Sequence, residues 1–159
     1  MQEYIKFSWQ DIESFIQKLA VSIRASNFKP DYLIGIANGG LIPLGLLTKE
    51  LGIGNILTVS ASSYDKDKQN GLNIAYLPKV KLENKKVLLV DEIADTGETL
   101  KQISEIFLNE YGVCELKTAV LGINKDRCSF RPDFFVFEES KWVVFPWEKK
   151  DFPEYFEHD

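Results

Sequence analysis

The chain has 159 residues, 45% of them hydrophobic and 27% charged, with a formal net charge of -5. Those values fit a single domain spanning residues 1–159, with apolar content for one sizeable core. They argue against a nucleic-acid partner, since no basic stripe is visible, and against a membrane span, since no apolar run nears 18 residues.

The opening MQEYIKFSWQ has no apolar h-region, so no signal peptide is expected and the chain reads as cytoplasmic. Cys114 and Cys128 lack CxxC or metal spacing and read as reduced thiols. The sole histidine, His158, is next to last. Histidine-based catalysis and histidine-ligated zinc are therefore not expected, and acid–base work falls to carboxylates, Lys or Tyr.

In chain order, Ser8 followed by Asp11 predicts a capped helix start. Ile12, Phe15, Ile16, Leu19 and Ile23 then keep helical spacing. Residues 32–36 (YLIGI) read as a buried strand, broken by Asn38-Gly39-Gly40. Residues 41–51 read as a helix closed by Gly52, and residues 56–61 as a second strand. The polar stretch 62–71 (SSYDKDKQNG) reads as a loop. Leu72, Ile74 and Tyr76 alternate, as on a half-exposed strand. Residues 87–90 (VLLV) show no polar alternation, which predicts a strand buried on both faces of a parallel sheet. Leu100, Ile103, Phe107 and Tyr111 mark the next helix. Residues 118–123, 134–137 and 142–145 are further strand candidates.

Strands alternating with helices predict an α/β domain with a largely parallel sheet. Ligands of such sheets bind beyond the carboxyl ends of the strands. Two of those ends are chemically distinctive. One is Asn38-Gly39-Gly40. The other is VLLVDEIADTGETL, where an apolar strand runs into Asp91, Glu92, Asp95 and Glu98. In the second, Asp95-Thr96-Gly97-Glu98-Thr99 opens a helix whose free amides and dipole suit a phosphate. The simpler reading is an ordinary N-capped helix. Asp91 and Glu92 shift the balance, because carboxylates at the end of a buried strand need partners, such as Mg²⁺ or sugar hydroxyls. Receiver domains also set acids after an apolar strand, but near the N-terminus; here about ninety residues come first.

VLLVDEIADTGETL resembles the phosphoribosyl-pyrophosphate (PRPP) motif of type I phosphoribosyltransferases. The likeness continues outside it. DYLIGIANGGLIPLGLLTKEL is similar to the pyrophosphate-loop region of bacterial xanthine–guanine and hypoxanthine phosphoribosyltransferases. Ser62-Ser63-Tyr64-Asp65 resembles their lid. Lys125 falls where the base-reading lysine lies, Trp142-Val143 resembles the purine-stacking pair, and Pro146-Trp147-Glu148 resembles a further segment. The resemblance implies the type I fold with a small base-binding hood, and a homo-oligomer. It implies purine salvage, in which the phosphoribosyl group of PRPP passes to N9 of guanine, xanthine or hypoxanthine with release of pyrophosphate.

By the same resemblance, residues 95–99 (Asp95, Thr96, Gly97, Glu98, Thr99) hold the 5′-phosphate; if the loop binds through the Glu98 amide, the Glu98 side chain must point outward to solvent. Asp91 and Glu92 hold ribose and Mg²⁺, with Glu148 as a possible further metal ligand. Asn38 and Gly39 form the pyrophosphate loop, Lys125, Trp142 and Val143 bind the purine, Ser63 and Tyr64 close the lid, and Asp95 takes the N7 proton. Lys125 can only donate, which suits a 6-oxo group. One departure stands out: the family usually has Arg or Lys where this chain has Asn38, at a peptide bond that is often non-proline cis. Pyrophosphate binding would then lean on amides, Mg²⁺ and Lys66 or Lys68. Two alternatives remain: a PRPP-sensing regulator on the same fold, and a phosphoribosyltransferase for another base, such as a pyrimidine.

Overall fold

The computed structural model describes residues 3–63 and 71–157, with only the backbone described at Ser63. The first helix, α1 (Trp9–Ala25), begins at the expected cap. The Asp11 amide donates to Ser8 Oγ at 3.1 Å, and the Ser8 amide donates to Asp11 Oδ2 at 2.8 Å. Two otherwise free donors are thereby satisfied. Helix α2 (Leu41–Leu51) closes on Gly52, which takes the left-handed conformation. The third helix, α3 (Glu98–Glu110), opens on Gly97.

The main sheet contains β2 (Tyr32–Ala37), β3 (Ile56–Ser63), β4 (Leu72–Tyr76), β5 (Lys86–Val90) and β7 (Glu115–Ala119) in the order β4-β3-β2-β5-β7. All pairs are parallel except β3–β4. The strand β5 shows why 87–90 reads as one apolar run. Leu88 and Val90 enter the core that includes Leu19 of α1 and Leu47 of α2. Val87 and Leu89 enter the opposite core with Ile103 and Phe107 of α3. Helices cover both faces, so both parities of the strand are buried. Each such side chain contributes roughly 1.5–3 kcal/mol by leaving water.

The small elements depart from expectation. Residues 118–123 do not form one strand. The chain leaves the main sheet at Ala119 and re-forms as β8 (Gly122–Asn124) in a second sheet, between β6 (Ile93–Ala94) and β9 (Phe137–Glu139). Between them the Val120 amide donates to the Phe134 carbonyl at 3.0 Å and the Leu121 amide to the Glu92 carbonyl at 3.0 Å. All of these residues but Thr118 are apolar or glycine and all are buried, so hydropathy runs unbroken across the change of sheet. Of the expected strand 134–137, Phe134 makes only an isolated bridge to Ala119, and β9 is Phe137–Glu139. The predicted loop at 62–71 starts late, because Ser62 and Ser63 continue β3 opposite Asn73 and Leu72. Two short strands were not expected: β6 (Ile93–Ala94) and β1 (Tyr4–Lys6), which pairs in parallel with β10 (Trp142–Val144). Among the described residues, no helix is long and apolar enough to cross a membrane.

Candidate active site

Strands β2 and β5 are parallel neighbours, so their carboxyl ends open on the same side. The turn 38–40 follows β2 and the acid pair Asp91-Glu92 follows β5. The two segments are in contact. A Cβ on Gly39 would fall on the Glu92 carboxylate, and one on Gly40 would lie 2.7 Å from the Val90 carbonyl oxygen. Only glycines let these strand ends close together. The Ala37–Asn38 peptide bond is cis, and the exposed Asn38 brings no charge to the turn.

Glu92 Oε2 is buried without a hydrogen-bond partner. Its amide donates to Asp91 Oδ1 at 2.9 Å, and its carbonyl accepts the Leu121 amide. Asp91 reaches solvent on one side but is densely surrounded. Burial, then the Glu92 carboxylate beside it, hold the Asp91 carboxyl well above the usual range. Two crowded carboxylates with an orphaned oxygen form a site suited to a cation or to hydroxyl donors.

Residues 95–97 connect β6 to α3, which Glu98 and Thr99 open. Gly97 has φ of +82°, and a Cβ there would strike the Phe130 carbonyl oxygen. The Glu98 side chain is exposed and accepts from Gln102 Nε2 at 2.9 Å, one turn along the helix, so it points away from the loop. The Glu98 amide donates to Thr96 Oγ1 at 3.3 Å. Thr99 is half-buried in the first turn of α3.

Asp95 has two partners from outside its own motif. Its Oδ2 pairs with Arg127 at 2.7 Å and its Oδ1 accepts from Asn124 Nδ2 at 3.0 Å. Asn124 Oδ1 in turn accepts the Asp126 and Arg127 amides at 3.0 and 3.1 Å. The sequence signal was faint: an Asn that starts a turn by bonding the amides two and three residues on.

Lys125 is exposed in that turn, and its amide donates to the Glu139 carbonyl at 3.1 Å. The Glu139 carboxyl is held below its usual range chiefly by the Lys141 amide, then by the Ser140 amide, with smaller contributions from the Lys141 and Lys125 charges. Trp142 follows, 43% exposed, with Phe152 edge-on at 6.0 Å. Val143 points the other way, into the core shared with α1. Glu148 Oε2 accepts the Phe145 amide at 2.9 Å, so it caps its own short turn. Burial pushes the Glu148 carboxyl up, and the Glu92 and Asp151 charges add to that. Among the described residues, no three His, Cys, Asp or Glu groups are placed to hold a metal together, so Glu148 does not complete a set with Asp91 and Glu92. The side chain of Ser63, with Tyr64, Lys66, Lys68 and His158, lies outside the described residues.

Residues 7–151 match the phosphoribosyl transferase domain family. The chain belongs to that family. A solved purine phosphoribosyltransferase from Pyrococcus horikoshii is 33% identical, with 91% of this chain and 93% of that one covered and a TM-score of 0.80. A hypothetical protein from Neisseria gonorrhoeae with bound ppGpp is 28% identical, over 98% and 95% of the two chains, at a TM-score of 0.84. The xanthine-guanine-hypoxanthine phosphoribosyltransferase of Helicobacter pylori shares the fold at 24% identity, over 98% and 100%, at a TM-score of 0.84. The fold is thus that of a type I phosphoribosyltransferase, close to purine enzymes.

Proposed function

We propose that this chain transfers the phosphoribosyl group of PRPP to N9 of a 6-oxopurine, releasing pyrophosphate. The observation that carries this reading is the contact between Glu92 and Gly39. It joins the two strand ends on one crevice and leaves a carboxylate oxygen buried and unpaired. The N-terminal end of α3 receives the 5′-phosphate beside Gly97, with the Glu98 amide exchanging its 3.3 Å bond to Thr96 Oγ1 for the ligand. Asp91 and Glu92 accept from the ribose hydroxyls and are the residues that would hold Mg²⁺. An ion bound by one or two carboxylates plus substrate phosphates is usual for Mg²⁺, which fits a site with two protein acids. When bound, Mg²⁺ supplies positive charge to offset that of the departing pyrophosphate.

Asp95 accepts the proton from purine N7. Its two oxygens already take Arg127 and Asn124, and each keeps a second lone pair for the substrate. Lys125 donates to the 6-oxo group and Trp142 offers its exposed face to the ring. Val143 supports this surface from the core side. Ser63 and Tyr64 are proposed to close over the reaction centre and keep water from the cationic centre. Leu41, exposed at the start of α2 beside the 38–40 turn, offers an apolar contact for a homo-oligomer.

The uncharged Asn38 favours a second reading, a PRPP sensor that binds without turnover. A melting-temperature panel with Mg²⁺, PRPP, the three 6-oxopurines, adenine and uracil tests the proposal. Ligands that bind only the folded state raise the melting temperature. PRPP and 6-oxopurines are expected to do so. PRPP alone would support the sensor, PRPP with uracil another acceptor base, and no response to PRPP would overturn all three.

A further inference from the structure

The turn at 125–130 is fastened to the loop at 95–97 at several points. Arg127 pairs with Asp95 Oδ2 at 2.7 Å, and Asn124 donates to Asp95 Oδ1 at 3.0 Å. The Ser129 and Phe130 amides donate to the Thr96 carbonyl at 3.0 and 3.3 Å. The Phe130 carbonyl fills the space a Cβ on Gly97 would need. In the reading proposed above, one of these segments takes the 5′-phosphate and the other carries Lys125 for the base.

Arg127 touches no ligand in that reading, yet its guanidinium forms the ion pair that crosses the junction. As a stability device it is weak. The Arg127 and Asp95 side chains are 62% and 48% exposed, and exposed pairs of this kind contribute little. As a geometric device it is effective. A carboxylate gripped on one oxygen by a guanidinium and on the other by a carboxamide keeps one orientation.

Resting on the phosphoribosyl-transfer reading, we propose that Arg127 is a positioning residue that joins the base-side turn to the 5′-phosphate loop through Asp95, so that filling one subsite orders the other. A ligand that rigidifies one segment lowers the ordering cost for the ligand of the other. Couplings of this kind typically amount to about 5–150-fold in affinity.

The experiment measures coupling between hypoxanthine and ribose 5-phosphate by calorimetry in the presence of Mg²⁺. This pair has no leaving group and does not react. In the wild-type chain, saturating ribose 5-phosphate is expected to tighten hypoxanthine at least about fivefold. In Arg127→Ala the factor falls below about two, and Arg127→Lys recovers part of it. Arg131→Ala breaks a neighbouring pair with Glu138 and is expected to leave the coupling intact. Circular dichroism confirms that each variant is folded, and Arg127→Gln replaces any alanine variant that is not. Full coupling in the alanine or glutamine variant, or none in a wild-type chain that binds both ligands, overturns the role of Arg127 and leaves the transfer reading standing. A wild-type chain that binds neither ligand overturns the transfer reading beneath it.

Discussion

The Glu92 carboxylate stands where a side chain on Gly39 would have to go. This ties the identity of one strand end to that of the other. Gly39→Ala cannot be accommodated without moving Glu92, at a cost of about 1–3 kcal/mol. The variant is expected to fold, with a lower denaturant midpoint. It should also lose most of the melting-temperature rise given by PRPP with Mg²⁺. An unchanged rise would mean that Glu92 does not have to stay over Gly39 to serve the ligand.

Glu92→Gln tests the same carboxylate from the other side. Its Oε2 is buried and unpaired in the free protein. An unsatisfied buried group costs about 1–3 kcal/mol, and more when charged. Removing the charge should therefore raise the melting temperature of the free protein while weakening PRPP and Mg²⁺. Stability and ligand binding are expected to move in opposite directions. A variant that loses both would show that Glu92 supports the fold and not the ligand.

Gly97 is constrained twice, by φ of +82° and by the Phe130 carbonyl. A non-glycine residue in the left-handed region costs about 1–2 kcal/mol before any clash is counted. Gly97→Ala should lower unfolding free energy by about 2 kcal/mol or more in urea titrations. A loss below about 0.5 kcal/mol would contradict the geometry of this loop.

Glu148 predicts a pH effect. Burial and the neighbouring carboxylates raise its folded value above the ordinary 4.5. A carboxyl raised on folding favours the folded state while it is protonated, and that contribution is lost as pH climbs through the folded value. Gln at this position can still accept the Phe145 amide. Glu148→Gln should thus be more stable than the wild type at pH 7. The two melting curves should converge as pH falls below 4.5. A gap that is constant with pH would mean that the charge is not the cause.

Much of the fold was legible because its signals are local. Ser8 and Asp11 mark a helix start by chemistry that acts over three residues. Gly52 marks a helix end, and the run 87–90 marks a strand covered on both sides. The passage from β7 to β8 was not legible, because its residues are buried in both sheets and polarity does not change. β1 was missed because its partner β10 lies at the far end of the chain. In the site, residues 91–99 could be read because acids and glycines follow an apolar strand. The Arg127–Asp95 pair could not, since it joins segments about thirty residues apart through an exposed arginine that looks like any other.

The central claim is tested most directly by following nucleotide formation when the protein is mixed with PRPP, Mg²⁺ and guanine, hypoxanthine or xanthine. The corresponding nucleoside 5′-monophosphate and pyrophosphate are expected in equal amounts with at least one of these bases. Asp95→Asn is expected to lower turnover about 100-fold or more, within the range general-base catalysis contributes, while leaving PRPP binding in place. A folded protein that binds PRPP yet consumes none of the three bases would contradict the central claim.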